Sequence, residues 1–234
     1  MQDFTEAINI TQHTYECIAA SYAELHATAV GGPTLWQACM QRFAEVVRGN
    51  ATYQAHPELP VVDVGCGPGR DALQLAQMGF QVVATDLSEA MLDEARIRCQ
   101  GQPDAERIAF QRMDMRSLDF PAASCAGLWV SASFLHIPKR ENQQVLREFR
   151  RVLVPGGALT LLVKECDDGP DERYEVHQPS GEQRFFARYR GSELWNLLEQ
   201  AGFLMLEMRT ARDRRFANLQ RWLGALANKM KEMP

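Results

Sequence analysis

Val61-Val62-Asp63-Val64-Gly65-Cys66-Gly67-Pro68-Gly69-Arg70 is the stretch that decides the fold. Its first four residues form a short, mostly apolar run, as expected of a strand buried on both faces of a parallel sheet, and the run feeds straight into a glycine turn. Glycines at 65, 67 and 69 permit positive φ and a close approach of backbone to a ligand. The helix expected from Arg70 to Met78, closed by Gly79, offers free N–H groups at its start. In doubly wound sheets ligands bind beyond the carboxyl ends of the strands, where the strand order reverses, so this turn is the first candidate site. A dinucleotide fingerprint, G-x-G-x-x-G, would place its third glycine at position 70, where this chain has Arg70. Asp86 ends the next strand, and a carboxylate there accepts from both hydroxyls of a ribose. The ligand implied has a ribose and is not a dinucleotide.

Working outward, strands and helices alternate: strand Gln81 to Thr85, helix Ser88 to Cys99, strands Ile108 to Arg112 and Ala126 to Ser131, helix Lys139 to Leu153, strand Ala158 to Val163. That alternation predicts βαβ units and a Rossmann-like, doubly wound α/β fold with a mostly parallel sheet. Ser192 and Glu193 open a further helix, Gly202 ends it, and Phe203 to Met208 reads as another strand. Upstream, Thr14 to Leu25 and Leu35 to Arg48 carry apolar residues at helical spacing, with Gly31-Gly32-Pro33 as the break between two N-terminal helices. Residues 166–190 carry no regular pattern and are expected to form a loop or small cap over the sheet's edge. Trp222, Leu223 and Leu226 fit a helix face as well as a strand.

The 234 residues are 46% hydrophobic and 24% charged, the balance of an ordinary globular chain, and no apolar stretch nears the ~18 residues of a membrane span. Acids in the first residues and the lack of an apolar run behind them predict a cytoplasmic protein. Cys17, Cys39, Cys66, Cys99, Cys125 and Cys166 form no C-x-x-C pair and no cluster at metal-ligand spacing, so they read as reduced thiols and no metal site is expected. The net charge of −5 weakens the case for a general nucleic-acid binder. The distribution is uneven: acids dominate residues 164–183, and arginines dominate from Arg184 onward.

At this point the sequence resembles the class I S-adenosylmethionine-dependent methyltransferases of the small-molecule type, over roughly residues 13 to 228. Val61 to Gly69 looks like their first motif, Val83 to Ser88 like the ribose-binding second, and Met113-Asp114-Met115 like the adenine-flanking third. Ala126 to Pro138 looks like the fourth strand and its substrate-facing loop, and Leu153 to Gly157 like the turn before the fifth. The resemblance implies a seven-stranded sheet, with Arg221 to Asn228 as a closing antiparallel strand beside Phe203 to Met208. It also implies an N-terminal helical lid (1–55) over the Rossmann-like core (56–234), and S-adenosyl-L-methionine as cofactor. In that reading Gly65, Gly67 and Gly69 approach the methionine part and Asp63 orients the loop or the amino group. Asp86 and Leu87 hold ribose and adenine, Asp114 accepts from the adenine amino group, Met115 packs on its ring, and Ser131 joins the cofactor contacts. Tyr15 and Tyr22 resemble an aromatic lid over the sulfonium, and Cys66 is read as packing.

Methyl transfer is an in-line displacement in which the protein orients and desolvates. A hydroxyl or protonated amine acceptor needs a base; a nucleophile that arrives deprotonated does not. His136, just beyond the fourth strand, is the candidate base, with a pocket-lining role as the alternative. Lys164, Glu165, His177 and Tyr189 are candidates for the acceptor pocket. A small-molecule acceptor is the first expectation. A tRNA-modifying enzyme is the second, because Arg184-Phe185-Phe186 with Glu193-Leu194 weakly resembles the tail of wobble-uridine methyltransferases and a basic tail with interleaved Phe and Trp can track phosphates. A cofactor-binding protein without turnover is the third.

Overall fold

Val62 and Val64 point to one side of the sheet, into a cluster with Phe149 and Leu159, while Val61 points to the other, against Phe43 and Leu75. This is the period-two alternation of a strand covered on both faces. The computed structural model describes residues 5–25, 35–166, 169–178, 180–212 and 220–230. Strands β1 (Val61–Val64), β2 (Val82–Asp86), β3 (Ile108–Arg112), β4 (Cys125–Ser131) and β5 (Leu153–Lys164) pair in parallel. With β8 (Phe203–Arg212) and β9 (Arg221–Lys229) they make one sheet of order β3-β2-β1-β4-β5-β9-β8, in which β9 runs antiparallel to both neighbours. The fold is the expected seven-stranded Rossmann-like α/β sheet, and Arg221 to Asn228 is strand. The order reverses at β1 and β4, so the crevice for a ligand lies beyond their carboxyl ends.

Helices α4 (Arg70–Gln77), α5 (Glu89–Cys99), α6 (Asn142–Val152) and α7 (Gly191–Gln200) cover the sheet. Helix α2 (Leu35–Gly49), followed by the short α3 (Ala51–Ala55), buries Cys39, Met40, Phe43, Ala44 and Val47 against β4 and β9 residues Trp129 and Leu226. It is therefore a layer of the sandwich, and the division drawn at residue 55 separates it from the sheet it covers. Helix α1 (Thr5–Leu25) starts earlier than its apolar spacing predicted and lies across the strand ends. The expected break at Gly31-Gly32-Pro33 lies outside the described residues.

The stretch from 166 to 190, expected to be irregular, contains the antiparallel hairpin β6 (Glu172–Val176) and β7 (Gln183–Ala187). The inward positions of β6 are Arg173 and Glu175, so the apolar alternation that announces a strand is missing there. The hairpin is tied to the end of β5: Tyr189 N–H donates to the Lys164 carbonyl at 3.1 Å and Cys166 N–H to the Tyr189 carbonyl at 3.0 Å. Helix α1 bridges the two ends of the crevice. Glu16 accepts from the first N–H groups of α5 (Glu89 at 2.9 Å, Ala90 at 3.0 Å), and Thr11 accepts from Phe185 N–H of β7 at 2.9 Å. Among the described residues no helix is long and apolar enough to cross a membrane.

Candidate functional site

The glycine turn after β1 is pinned to the end of β2. Gly65 and Cys66 N–H groups both donate to the Thr85 carbonyl at 2.8 Å, and Gly67 N–H donates to Asp86 Oδ2 at 2.8 Å. Gly65 has φ +72°, and a Cβ there would stand 2.3 Å from Ser133 Cβ; the residue is demanded by packing as well as by conformation. Gly67, at φ +52°, has open space where its Cβ would be, and that space is the cavity. Gly69, just before α4, abuts Ala95 of α5 and does not reach the cavity wall. Asp86 Oδ1 also accepts from Ser88 N–H at 2.9 Å, which leaves about two of the roughly four lone-pair positions of its carboxylate for a ligand.

Asp63, at the centre of β1, is buried, and its Oδ2 has no hydrogen-bond partner among the described residues. Burial, reinforced by Asp71 and Asp86, pushes its carboxyl well above the usual range. An orphaned buried oxygen that faces a cavity is a site for an incoming cation or N–H donor. Asp71 was not singled out from the sequence. Its burial opposes ionisation, yet Arg70 at 2.7 Å, Trp129 Nε1–H at 2.9 Å and the Ser131 hydroxyl hold it below the usual range. Trp36 Nε1–H donates to Ser131 Oγ at 2.6 Å, so Ser131 is fixed from both sides. No local sequence signal marks Asp71, because two of its three partners, Trp129 and Ser131, come from β4.

Leu87, Met91, Met113, Asp114 and Met115 line the flank of this half of the cavity. The Asp114 carboxylate is gripped by its own turn, with Arg116 Nη2 at 2.7 Å and Arg116 N–H at 2.9 Å. The Cys66 thiol is buried and pushed well up by burial and by Asp86 and Asp63, which suits packing and not nucleophilic attack.

The opposite half is built by α1, the loop after β4, the end of β5 and the hairpin. His136 Nδ1 lies 2.7 Å from the Phe185 carbonyl, which can only accept, so Nδ1 carries the proton and Nε2 accepts from the Tyr15 hydroxyl at 2.9 Å. Burial, aided by Arg184 and Lys164, pushes the imidazole down to about 3, well below the value near 6.5 that suits a base at neutral pH. Tyr15 packs edge-on against Tyr22 at 5.6 Å. Arg184 stands over the rings of Tyr15 and Phe186, at 5.5 and 5.3 Å. Lys164 Nζ donates to Glu175 Oε2 at 2.7 Å and is pushed down to about 8 by burial. His177 lines the rim with its Nδ1 on Ser180 Oγ at 2.9 Å.

Two expected acceptor-side residues lie outside the cavity. Tyr189 is fully buried, stacked on Phe134 and donating to Asn142 Oδ1 at 3.2 Å, and Glu165 pairs with Arg221 at 2.6 Å. Strand geometry is the reason: Lys164, Arg184, Phe186 and Arg188 face inward, and Glu165, Phe185, Ala187 and Tyr189 alternate with them. The basic tail forms no open stripe among the described residues. Arg184 and Arg188 turn into the cavity, while Arg190, Arg209 and Arg221 pair with Asp171, Glu207 and Glu165. Two triplets outside the cavity, His13–Cys17–Glu182 and Cys166–Asp171–Glu193, bring ligand-type atoms within 4.8 Å although no sequence spacing announced a cluster. Lys139 and Arg190 already pair with Asp171 in the second.

The methyltransferase domain family matches residues 61–157. O-methyltransferase resE of Aspergillus sclerotiorum is 30% identical over 162 residues, 65% of this chain and 58% of that protein. The S-adenosyl-L-methionine-dependent Diels-Alderase iccD of Talaromyces variabilis is 29% identical over 171 residues, 65% of this chain and 56% of its own length. The chain thus spans a little over half of the length of these curated relatives. Among solved structures, the 1,6-didemethyltoxoflavin-N1-methyltransferase of Burkholderia thailandensis superposes with a TM-score of 0.71 at 21% identity, covering 99% of this chain and 92% of that one. The family match begins at the first residue of β1 and ends inside β5, so it contains every strand-end loop from β1 to β4 that builds the acidic half of the crevice. Residues 61–157 thus match the methyltransferase domain family, and the fold is that of solved S-adenosylmethionine-dependent methyltransferases.

Proposed function

We propose that the chain transfers a methyl group from S-adenosyl-L-methionine to a small molecule. The observation that carries this is the orphaned Asp63 Oδ2 facing the same cavity as the half-used Asp86 carboxylate, as an ammonium and a ribose on one ligand require. The cavity, about 940 Å³, is near the top of the roughly 300–1,000 Å³ span of small-molecule sites, which leaves room for an acceptor beside a nucleoside. When bound, the cofactor supplies a methyl group on a positively charged sulfur that departs as a neutral thioether. The chain's own residues do the rest. Asp63 takes the ammonium, Asp86 the ribose hydroxyls, Leu87 and Met115 the faces of the base, with Asp114 held by Arg116 at its edge. Gly67 leaves the room for this approach. Helix α1 acts as the lid: tethered through Glu16 and Thr11, it sets Tyr15 over the junction of the two halves and excludes water.

His136 is assigned a positioning role. A neutral imidazole held near 3 is a weak proton acceptor, and its Nε2 already receives the Tyr15 proton, so the pair fixes the lid tyrosine and does not deprotonate an acceptor. The six free thiols support a reducing, cytoplasmic setting. A second reading, cofactor bound without transfer, is favoured by one relative's name, the S-adenosyl-L-methionine-dependent Diels-Alderase. Calorimetry with S-adenosyl-L-methionine, S-adenosylhomocysteine and NAD is the first test: the first two bind, and tight NAD binding would overturn the proposal. Incubation with methyl-labelled cofactor and a fractionated extract is the second. Label in a small, nuclease-resistant product with release of S-adenosylhomocysteine is expected; nuclease-sensitive label indicates tRNA, and tight binding with no release indicates the non-transferring reading.

A further inference from the structure

We propose that the acceptor is a small planar molecule bearing an oxyanion, a carboxylate or a phosphate, held by the arginines of the β6–β7 hairpin; this rests on the methyl-transfer reading. The cavity is electrically divided. Among the described residues its nucleoside half carries Asp63, Asp71, Asp86 and Asp114 against one cation, Arg70, which pairs with Asp71. Among the same residues its other half carries Lys164, Arg173, Arg184 and Arg188 against one carboxylate, Glu175. That carboxylate is shared three ways: Lys164 at 2.7 Å, Arg188 at 2.5 Å and Arg173 at 3.3 Å. Burial opposes its ionisation, yet Lys164 and Arg188 hold it down to about 2, so it is a fixed negative charge already committed.

Arg184 has no carboxylate within ion-pair distance among the described residues. Its Nη1 donates only to the Tyr15 hydroxyl at 3.4 Å, and its buried Nε has no partner. A half-buried guanidinium with donors unused and like charges on both sides lacks a counter-ion, and guanidinium groups grip planar oxyanions through paired N–H donors. The walls beside these cations are the rings of Tyr15, Phe186 and Trp222, which fit a flat, unsaturated body. An acceptor anchored in this way sits beside the Tyr15–His136 pair, at the boundary with the acidic half.

The test is a binding measurement that needs no turnover. Benzoate, salicylate and cinnamate, the primary amide of each, and phenyl phosphate are titrated into the full chain, with and without S-adenosylhomocysteine, by ligand-observed NMR. At least one of the anions is expected to bind about ten- to a hundredfold tighter than the neutral amides, to weaken with salt, and to lose that advantage in Arg184→Gln and in Arg173→Gln. Preference for phenyl phosphate over the carboxylates assigns the anion as phosphate; the reverse assigns it as carboxylate. Amides bound as tightly as acids, no probe bound, or full anion binding retained in both folded variants overturns the proposal. Calorimetry of S-adenosylhomocysteine on the same samples separates the two failures: homocysteine derivative bound without anion preference sinks this inference alone, and its failure to bind sinks the methyl-transfer reading.

Discussion

Replacing His136 by glutamine isolates one proton. The amide group can donate to the Phe185 carbonyl and accept from the Tyr15 hydroxyl, so both hydrogen bonds of the imidazole survive and only its titration is lost. In the folded wild type the imidazole is held neutral down to about 3, first by burial and then by Arg184 and Lys164, against the pull of the Phe185 carbonyl. In the unfolded chain a histidine takes its proton near ~6.5. Between those values the unfolded state binds a proton that the folded state refuses. The folded value is the depressed one, so this site costs nothing above ~6.5 and stability is lost as pH falls toward 3, with a slope approaching about 1.4 kcal/mol per pH unit. For a chain of this size that corresponds to roughly 3–5 °C of Tm per pH unit. Thermal unfolding of both proteins by circular dichroism from pH 7.5 to 4 gives two curves, and every other titrating group is common to both. They should run parallel near neutrality and diverge below it, the wild type falling faster. Parallel curves throughout, or a His136 imidazole NMR resonance, assigned by its absence from the glutamine variant, titrating near ~6.5, would refute the reasoning. The catalytic counterpart is a turnover profile with no acid limb near ~6.5.

Asp86→Ala removes the acceptor of Gly67 N–H and Ser88 N–H together with the ribose contacts, and should weaken S-adenosyl-L-methionine by about 1.5–3 kcal/mol in calorimetry; unchanged affinity removes Asp86 from the site. Trp129→Phe strips the 2.9 Å donor from the buried Asp71 and should cost about 1–3 kcal/mol in urea denaturation, whereas no loss would mean that Arg70 and Ser131 satisfy Asp71 alone. Gly65→Ala drives a Cβ into Ser133 and should lower Tm sharply, while Gly67→Ala, with open space at its Cβ, should keep more of the fold and lose cofactor affinity. The reverse ranking of the two melting temperatures contradicts the packing argument.

The sequence by itself determined the sheet and its nucleoside end. Val61 to Arg70 and Val83 to Ser88 are continuous segments in which an apolar run, a glycine or an acid at the strand end, and a helix start follow each other, so each local choice points to the same geometry. Closure by β9 was legible only through the family resemblance, since Trp222, Leu223 and Leu226 fit a helix face as well as a strand; pairing with Phe203 to Met208 and with β5 makes the segment a strand. The tertiary structure decided the acceptor half. In β7 and the segment after it, side chains alternate between faces, and both phases of 184–189 carry aromatic and polar residues; nothing local said that Arg184, Phe186 and Arg188 point inward while Tyr189 points into the core. The phase is set by α1, whose Thr11 receives Phe185 N–H from a residue more than a hundred positions away. The same distance argument covers His136: its position after the fourth strand was readable, but its low proton affinity comes from burial under α1 and the hairpin, which exists only once those elements have packed.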